Sequence, residues 1–220
     1  MRGLYLLLIV ILIGSGGCER WKLKQPAYLS LNWKFHSTTS SQGNAVINKG
    51  YFYSTQFTVS GKRAKGSDVK ITQNLTGEKI QFSGETDLGI ALDIPMGDYI
   101  EFDISTLIDN SNHPCIRLEG TFYKGQDPIP MIIEWNNYEE LSFKIQNPFS
   151  LERKKNYKVF IGFDAKKLFE NVPSSLWAQP YFTMENGVPT LLINNPNGPN
   201  GQLYSKITEQ LPKALVLTVE

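Results

Sequence analysis

From Tyr28 onward, apolar and polar residues alternate with a period of two. Leu29, Leu31, Trp33 and Phe35 alternate with Ser30, Asn32 and Lys34, and Phe57 and Val59 with Thr58 and Ser60. Ile116, Leu118, Gly120 and Phe122 alternate with Arg117, Glu119, Thr121 and Tyr123. Leu141, Phe143 and Ile145 repeat the pattern against Ser142, Lys144 and Gln146. Such a period marks strands with one buried and one wet face. The unbroken apolar stretches Met131–Ile133 and Val159–Phe163 suit central strands. Ser60-Gly61, Thr76-Gly77, Ser83-Gly84, Met96-Gly97-Asp98, Asn186-Gly187 and Asn200-Gly201 read as turns. Short strands with frequent turns predict an all-β, antiparallel β-sandwich, immunoglobulin- or prealbumin-like.

Helical signals are few. Asp164 precedes Ala165–Asn171 and reads as an N-cap with Leu168 on the buried side. Ser205–Leu211 is a second candidate, ended by Pro212, with Thr208 where a capping box would place Glu or Gln. Lys213–Glu220 reads as a final strand. The expectation is one or two short helices on a single β-sandwich domain over 28–220. No repeat of 20–50 residues is visible, which argues against a propeller or solenoid.

Ahead of that domain the chain opens with Met1-Arg2-Gly3, then an apolar run Leu4–Ile13, then Gly14-Ser15-Gly16-Gly17-Cys18. Charge, apolar core and small residues are the layout of a secretory signal. The run is too short for a bilayer span of about 20 residues. The segment resembles the lipobox of bacterial lipoproteins, where a small residue precedes a cysteine that becomes lipidated. Ser15 stands where the usual leucine would, with Ile13 two residues earlier, a looser pattern similar to lipoproteins of the Bacteroidota. The resemblance implies a signal peptide over 1–17, a diacylglycerol on Cys18 and often an acyl chain on its freed amine. Two or three acyl chains anchor stably where one does not. Residues 18–27 then form the lipidated cysteine and a tether, mostly polar and carrying Pro26.

A second resemblance rests on the order of four segments: Val59-Ser60-Gly61-Lys62-Arg63, Ile94-Pro95-Met96-Gly97-Asp98-Tyr99, Ile116–Phe122 and Gly162-Phe163-Asp164–Phe169. Together they resemble the uncharacterised all-β lipoproteins of Bacteroidota. There a Pro-x-Gly-x-Tyr turn precedes a long strand, and a late strand ends at Phe-Asp before a short helix. That resemblance implies a fold and an envelope location and no chemistry.

Composition narrows the function classes. The 220 residues carry 22 Lys+Arg and 21 Asp+Glu. Removing 1–17 takes Arg2 and no acid, so 21 basic side chains face 21 acidic ones. A nucleic-acid binder would need a basic face, so none is expected. At 41% hydrophobic the chain is too apolar for disorder. With Cys18 lipidated, Cys115 has no intrachain disulfide partner; lying at a strand start, it reads as a small buried hydrophobe.

Catalytic sets are missing from the pattern. No Gly-x-Ser-x-Gly elbow or phosphate-binding loop occurs. The two histidines, His36 and His113, fall in loops, and both read as exposed. His113 and Cys115 could share a face at a strand start, an accidental pair of metal ligands. Asp109-Asn110-Ser111-Asn112 reads as a polar turn, since it lacks the glycine and terminal glutamate of an EF-hand loop. No metal or cofactor is expected. Asp103, Glu119, Glu134 and Glu139 are candidate acids for glycoside hydrolysis, with Glu119 sharing a wet face with Arg117.

Aromatics supply the binding candidates. Trp33 falls on the apolar face of its strand and reads as core. Trp135-Asn136-Asn137-Tyr138 reads as a hairpin tip, and Trp177 and Tyr181 lie in a Pro/Ser-rich stretch. Aromatics beside amides on loops suit sugar stacking or a protein contact. The leading reading is a non-enzymatic, membrane-anchored lipoprotein of the cell envelope, binding a glycan, a peptide or an envelope protein. It would lie at the outer membrane, on the periplasmic or surface face. The alternatives are a pilus-like structural subunit, for which Ala214–Val219 could be a donated strand, and a carboxylate-based hydrolase.

Overall fold

The computed structural model describes residues 25–145 and 147–220. The expected signal peptide, Cys18 and most of the expected tether lie outside the described residues. Among the described residues no helix is long and apolar enough to cross a membrane.

The fold is all-β and sandwich-like, with two sheets closed over one core. The smaller sheet holds β1 (Pro26–Trp33), β4 (Thr86–Pro95), β10 (Asn156–Phe163) and β13 (Leu215–Val219), in the order β13-β10-β1-β4. The larger sheet is organised by β2 (Ala45–Arg63). Along one edge of β2 runs β3 (Val69–Ser83). Its other edge is shared end to end: β6 (Ile116–Lys124) pairs with residues 45–52 and β5 (Gly97–Ile108) with residues 54–63. β5 carries β8 (Glu140–Lys144) and β9 (Phe149–Leu151). β6 carries β7 (Asp127–Trp135), then β12 (Val188–Ile193) and β11 (Thr183–Glu185). The sheet curls into a half-barrel.

The period-of-two faces are found as the pattern predicts. Leu29, Leu31 and Trp33, Phe57 and Val59, Ile116, Leu118 and Phe122, and Leu141 and Phe143 all point into the core. The unbroken apolar stretches are central: β10 lies between β13 and β1, and β7 between β6 and β12. Two pairings are parallel, β1 with β10 and β7 with β12, so the sheets are mixed rather than purely antiparallel. Alternation reports which face is buried and is blind to the direction of the partner strand. β1 also begins earlier than the pattern suggests. Pro26 and Ala27 pair with Pro95 and Ile94, and Ala27 is fully buried, so both belong to the domain and not to the tether.

Two of the expected turns are strand interiors. Gly61 lies within β2, where a Cβ would collide with the Tyr99 ring at 2.5 Å. Gly77 lies within β3 at φ +70°, where the register between β2 and β3 slips. Glycine supplies close approach at the first and a left-handed backbone at the second.

Among the described residues three helices appear rather than one or two. α1 (Ala165–Leu168) is capped as expected: the Asp164 carboxylate accepts from the N–H groups of Lys166 (3.0 Å) and Lys167 (3.3 Å). α2 (Ser174–Ala178) is a single turn inside the expected loop. α3 (Gly201–Ala214) is longer than Ser205–Leu211 at both ends. Pro212 does not stop it, because only the last turn lacks its N–H. The terminal Ala214 carbonyl is taken by the Asp164 N–H at 2.9 Å. Leu203, Ile207, Leu211 and Ala214 form its buried stripe.

The Pro95–Tyr99 turn joins the two sheets. The Tyr99 hydroxyl donates to the Pro95 carbonyl at 2.6 Å, and its ring stacks on Phe149 and meets Phe102 edge-on. Burial pushes the phenol up to about 12, against the opposing pull of Arg63. An unfolded tyrosine titrates near 10. The folded value is higher, so Tyr99 contributes its full stability below about pH 10 and loses it as pH rises toward 12, on the order of 2–3 kcal/mol. Unfolding free energy measured from pH 9 to 12 is expected to fall less steeply in Tyr99→Phe than in the parent. Parallel curves would show that Tyr99 is not the coupled group.

Candidate functional site

The aromatic candidates separate. Trp135 ends β7 on its inward face with Met131 and Ile133, and is fully buried. Its Nε1 donates to Thr208 Oγ1 on α3 at 2.9 Å. Trp177 is buried beneath α2, stacked on Phe122 at 5.7 Å and edge-on to Phe169 at 5.5 Å. Both indoles are core packing and offer no ring face to a ligand, which corrects the expectation for both. For Trp135 the same alternation that buries Met131 and Ile133 runs on to residue 135.

Nor is Trp135–Tyr138 a hairpin tip. β7 and β8 do not pair; the chain crosses from the β6 side of the sheet to the β5 side. Asn136 and Asn137 are exposed. The Asn136 carbonyl meets His113 Nδ1 at 3.0 Å. Tyr138 is half-buried, and the Asn110 amide holds both its N–H and its carbonyl at 3.0 Å. Asp109 in turn accepts from the Ser111 N–H at 2.9 Å. The crossover and the 109–115 loop thus tie each other down.

The other sequence candidates are structural in their contacts. Cys115 is buried, its Sγ donating to the Trp135 carbonyl at 3.1 Å, and burial pushes the thiol up. His113 is exposed, so the two do not converge on a ligand. His36 is half-buried rather than exposed, and desolvation holds it below its ordinary value. Among the described residues no three His, Cys, Asp or Glu side chains gather as a metal site.

Two of the four named acids do meet. Arg117 Nε bonds Glu119 at 2.7 Å and Arg117 Nη1 bonds Glu134 at 2.7 Å; Lys49 reaches the other Glu119 oxygen at 3.0 Å. Burial works against ionised Glu119, but bonds from Lys49 and Arg117 outweigh it and hold it below the usual carboxylate range. Burial wins at Glu134 and raises it, despite Arg117. One guanidinium therefore clamps both carboxylates on the outer face of the large sheet. A shallow groove of about 370 Å³ adjoins, lined by Tyr51, Lys79, Gln81 and Glu119. The Lys79 ammonium sits 3.9 Å above the Tyr51 ring and occupies its face.

A different surface stands out at the far end of the large sheet. Tyr123 at the end of β6, Tyr181 after α2, Met184 on β11 and Val188 on β12 are all exposed, from 39% for Tyr123 to 66% for Met184. Cross-strand pairing relates two of them directly. Tyr123 faces Pro128 on β7 and the parallel β7–β12 register continues toward Val188, whereas Met184 faces Pro189, on the other side of the sheet from Val188. Asn186 and Gly187 close the hairpin with left-handed backbones. The patch has a firm base. Phe182 lies 6.3 Å from Phe122 with the Lys124 ammonium 5.5 Å from its ring. The buried Asn200 amide donates to the Tyr181 and Leu192 carbonyls, each at 2.8 Å, and accepts from the Tyr181 N–H at 2.9 Å. The Tyr181 backbone is fixed while its ring projects.

Of the sequence candidates, only Tyr181 falls in this patch. Asn136–Tyr138 sits beside Ile116, at the other end of β6 from Tyr123, roughly 20 Å away by strand rise. The signal for Tyr123 was its aromatic ring on the wet face of an alternating strand; for Met184 and Val188 it was their place beside Asn186-Gly187. No known family model matches the chain, and no curated protein or solved structure is significantly similar to it.

Proposed function

We propose that this chain is a lipid-anchored domain of the cell envelope that binds another envelope protein through the end of the large sheet where Tyr123, Tyr181, Met184 and Val188 are exposed. The observation that carries the reading is the position of this patch. Pro26, where the chain enters the domain, lies beside Pro95 and the 152–155 turn. The patch lies by the opposite end of β2, where Ala45 pairs with Phe122. A domain anchored at its entry end would hold the patch away from the membrane. Tyrosine and methionine are enriched in protein contacts, and methionine adapts to varied partners. Exposed apolar side chains concentrated at one end of a sheet favour a contact there. The donated-strand alternative has little support, since β13 pairs along its length with β10 in its own sheet.

The test places a photo-crosslinking side chain at position 184, 181 or, as a control, the exposed position 101, in cells that make the protein. The expected result is a discrete protein adduct from 184 and 181 and none from 101. Equal adducts from all three, or none from either distal position, would reject the site.

A further inference from the structure

We propose that the end of the domain where the chain enters is a basic rim that lies against anionic lipid headgroups. This rests on the reading of Cys18 as the anchor. Three loops converge there. The β2–β3 loop joins the β4–β5 turn, with Arg63 donating to the Met96 carbonyl at 3.2 Å and the Ala64 N–H to Asp98 at 2.8 Å. The β9–β10 turn joins the entering strand, with the Lys154 N–H donating to the Pro26 carbonyl at 2.9 Å.

Lys65, Arg153, Lys154 and Lys155 are exposed on these loops. Only Lys155 makes an ion pair among the described residues, with Glu152 at 2.7 Å. Arg63 is committed to the Ser67 and Met96 carbonyls. The acids at this end are Asp68, Asp93, Asp98 and Glu152, against Arg63, Lys65, Arg153, Lys154 and Lys155, so basic groups exceed acids by one. The chain leading in adds to that excess: Arg20, Lys22 and Lys24 stand against Glu19 alone, with Trp21 among them. Seven residues separate Cys18 from Pro26, a reach of at most about 25–30 Å. A lipid on Cys18 would therefore keep this end, and no other, next to the bilayer. Basic clusters beside an anchor attract anionic headgroups, and tryptophan favours the interface.

The test uses the chain from residue 18 onward with Cys18→Ser, which contains every described element and carries no lipid. It is sedimented with phosphatidylcholine vesicles, with or without phosphatidylglycerol. Binding is expected only to the phosphatidylglycerol vesicles and should be lost at high salt. Lys65→Gln/Arg153→Gln/Lys154→Gln is expected to weaken it by about tenfold or more, with an unchanged melting temperature. Arg20→Gln/Lys22→Gln/Lys24→Gln separates the entering chain from the folded loops. Equal binding to both vesicle types, or no loss in the loop variant, would overturn the proposal. Mass analysis of the Cys18 peptide from native membranes tests the anchor separately: vesicle binding with an unmodified Cys18 would reject the anchor and leave the rim standing.

Discussion

Gly162→Ala is expected to destabilise the domain by about 3–5 kcal/mol, beyond ordinary overpacking of about 1–3 kcal/mol. Gly162 lies in β10, flanked by β1 and β13. A Cβ built there overlaps the Lys34 carbonyl oxygen. That oxygen belongs to the backbone just beyond β1. It is locked on both sides, by the Lys34 N–H to the Ile161 carbonyl at 2.9 Å and by the His36 N–H to the Phe163 carbonyl at 3.0 Å. No rotamer change relieves a clash between backbone and Cβ, so one of two core strands must move. Urea unfolding followed by fluorescence would show a sharply lower midpoint. Gly198→Ala is the control. Its Cβ meets nothing nearer than 3.4 Å, so it should stay within about 1 kcal/mol of the parent. Equal midpoints for the two variants would refute this account of the β1–β10 crossing.

Trp33→Ala is expected to cost about 3–5 kcal/mol through the cavity it leaves. The indole stacks on Phe82 at 3.9 Å and meets Phe52, Phe143 and Phe163 within 6.2 Å. Phe163 belongs to the small sheet; Phe52, Phe82 and Phe143 belong to the large one. Removing the indole therefore loosens the contact between sheets and not only one strand. Trp33→Phe should cost less, about 1–2 kcal/mol. The Trp33 Nε1 has no acceptor among the described residues, so phenylalanine strands no partner. Urea midpoints in the order parent, Trp33→Phe, Trp33→Ala would bear this out. A Trp33→Ala protein as stable as Trp33→Phe would contradict it.

The strand faces were legible because burial on a sheet repeats every second residue. The Asp164 cap was legible because a cap acts over two or three residues. Trp135 shows where local reading stops. Its neighbours Asn136 and Asn137 resemble a turn, and a turn suggests an exposed tip. Yet the side chain obeys the alternation of β7 and goes inward to Thr208, a residue of a helix far along the chain. Asn200 failed in the same way: a turn-like residue in an Asn/Pro/Gly stretch became a buried clamp, because its amide found three backbone partners from two other segments. At the far end of the large sheet, the Asn186-Gly187 turn and the wet-face aromatic Tyr123 were visible in sequence. The alignment of Tyr123 with Val188 was not, since it depends on the parallel register of β7 with β12.

The amino-acid sequence by itself determined the all-β character, the inward and outward faces of most strands, the Asp164-capped helix and the burial of Trp33 and Cys115. Each follows from interactions between residues a few positions apart. Only the tertiary structure decided the mixed sheets, the sharing of one β2 edge by β5 and β6, the crossing of the chain after Trp135 and the burial of Trp177. Strand partners and their direction are selected by hydrogen bonding and packing between distant segments, and a period of two is the same for every partner a strand could take.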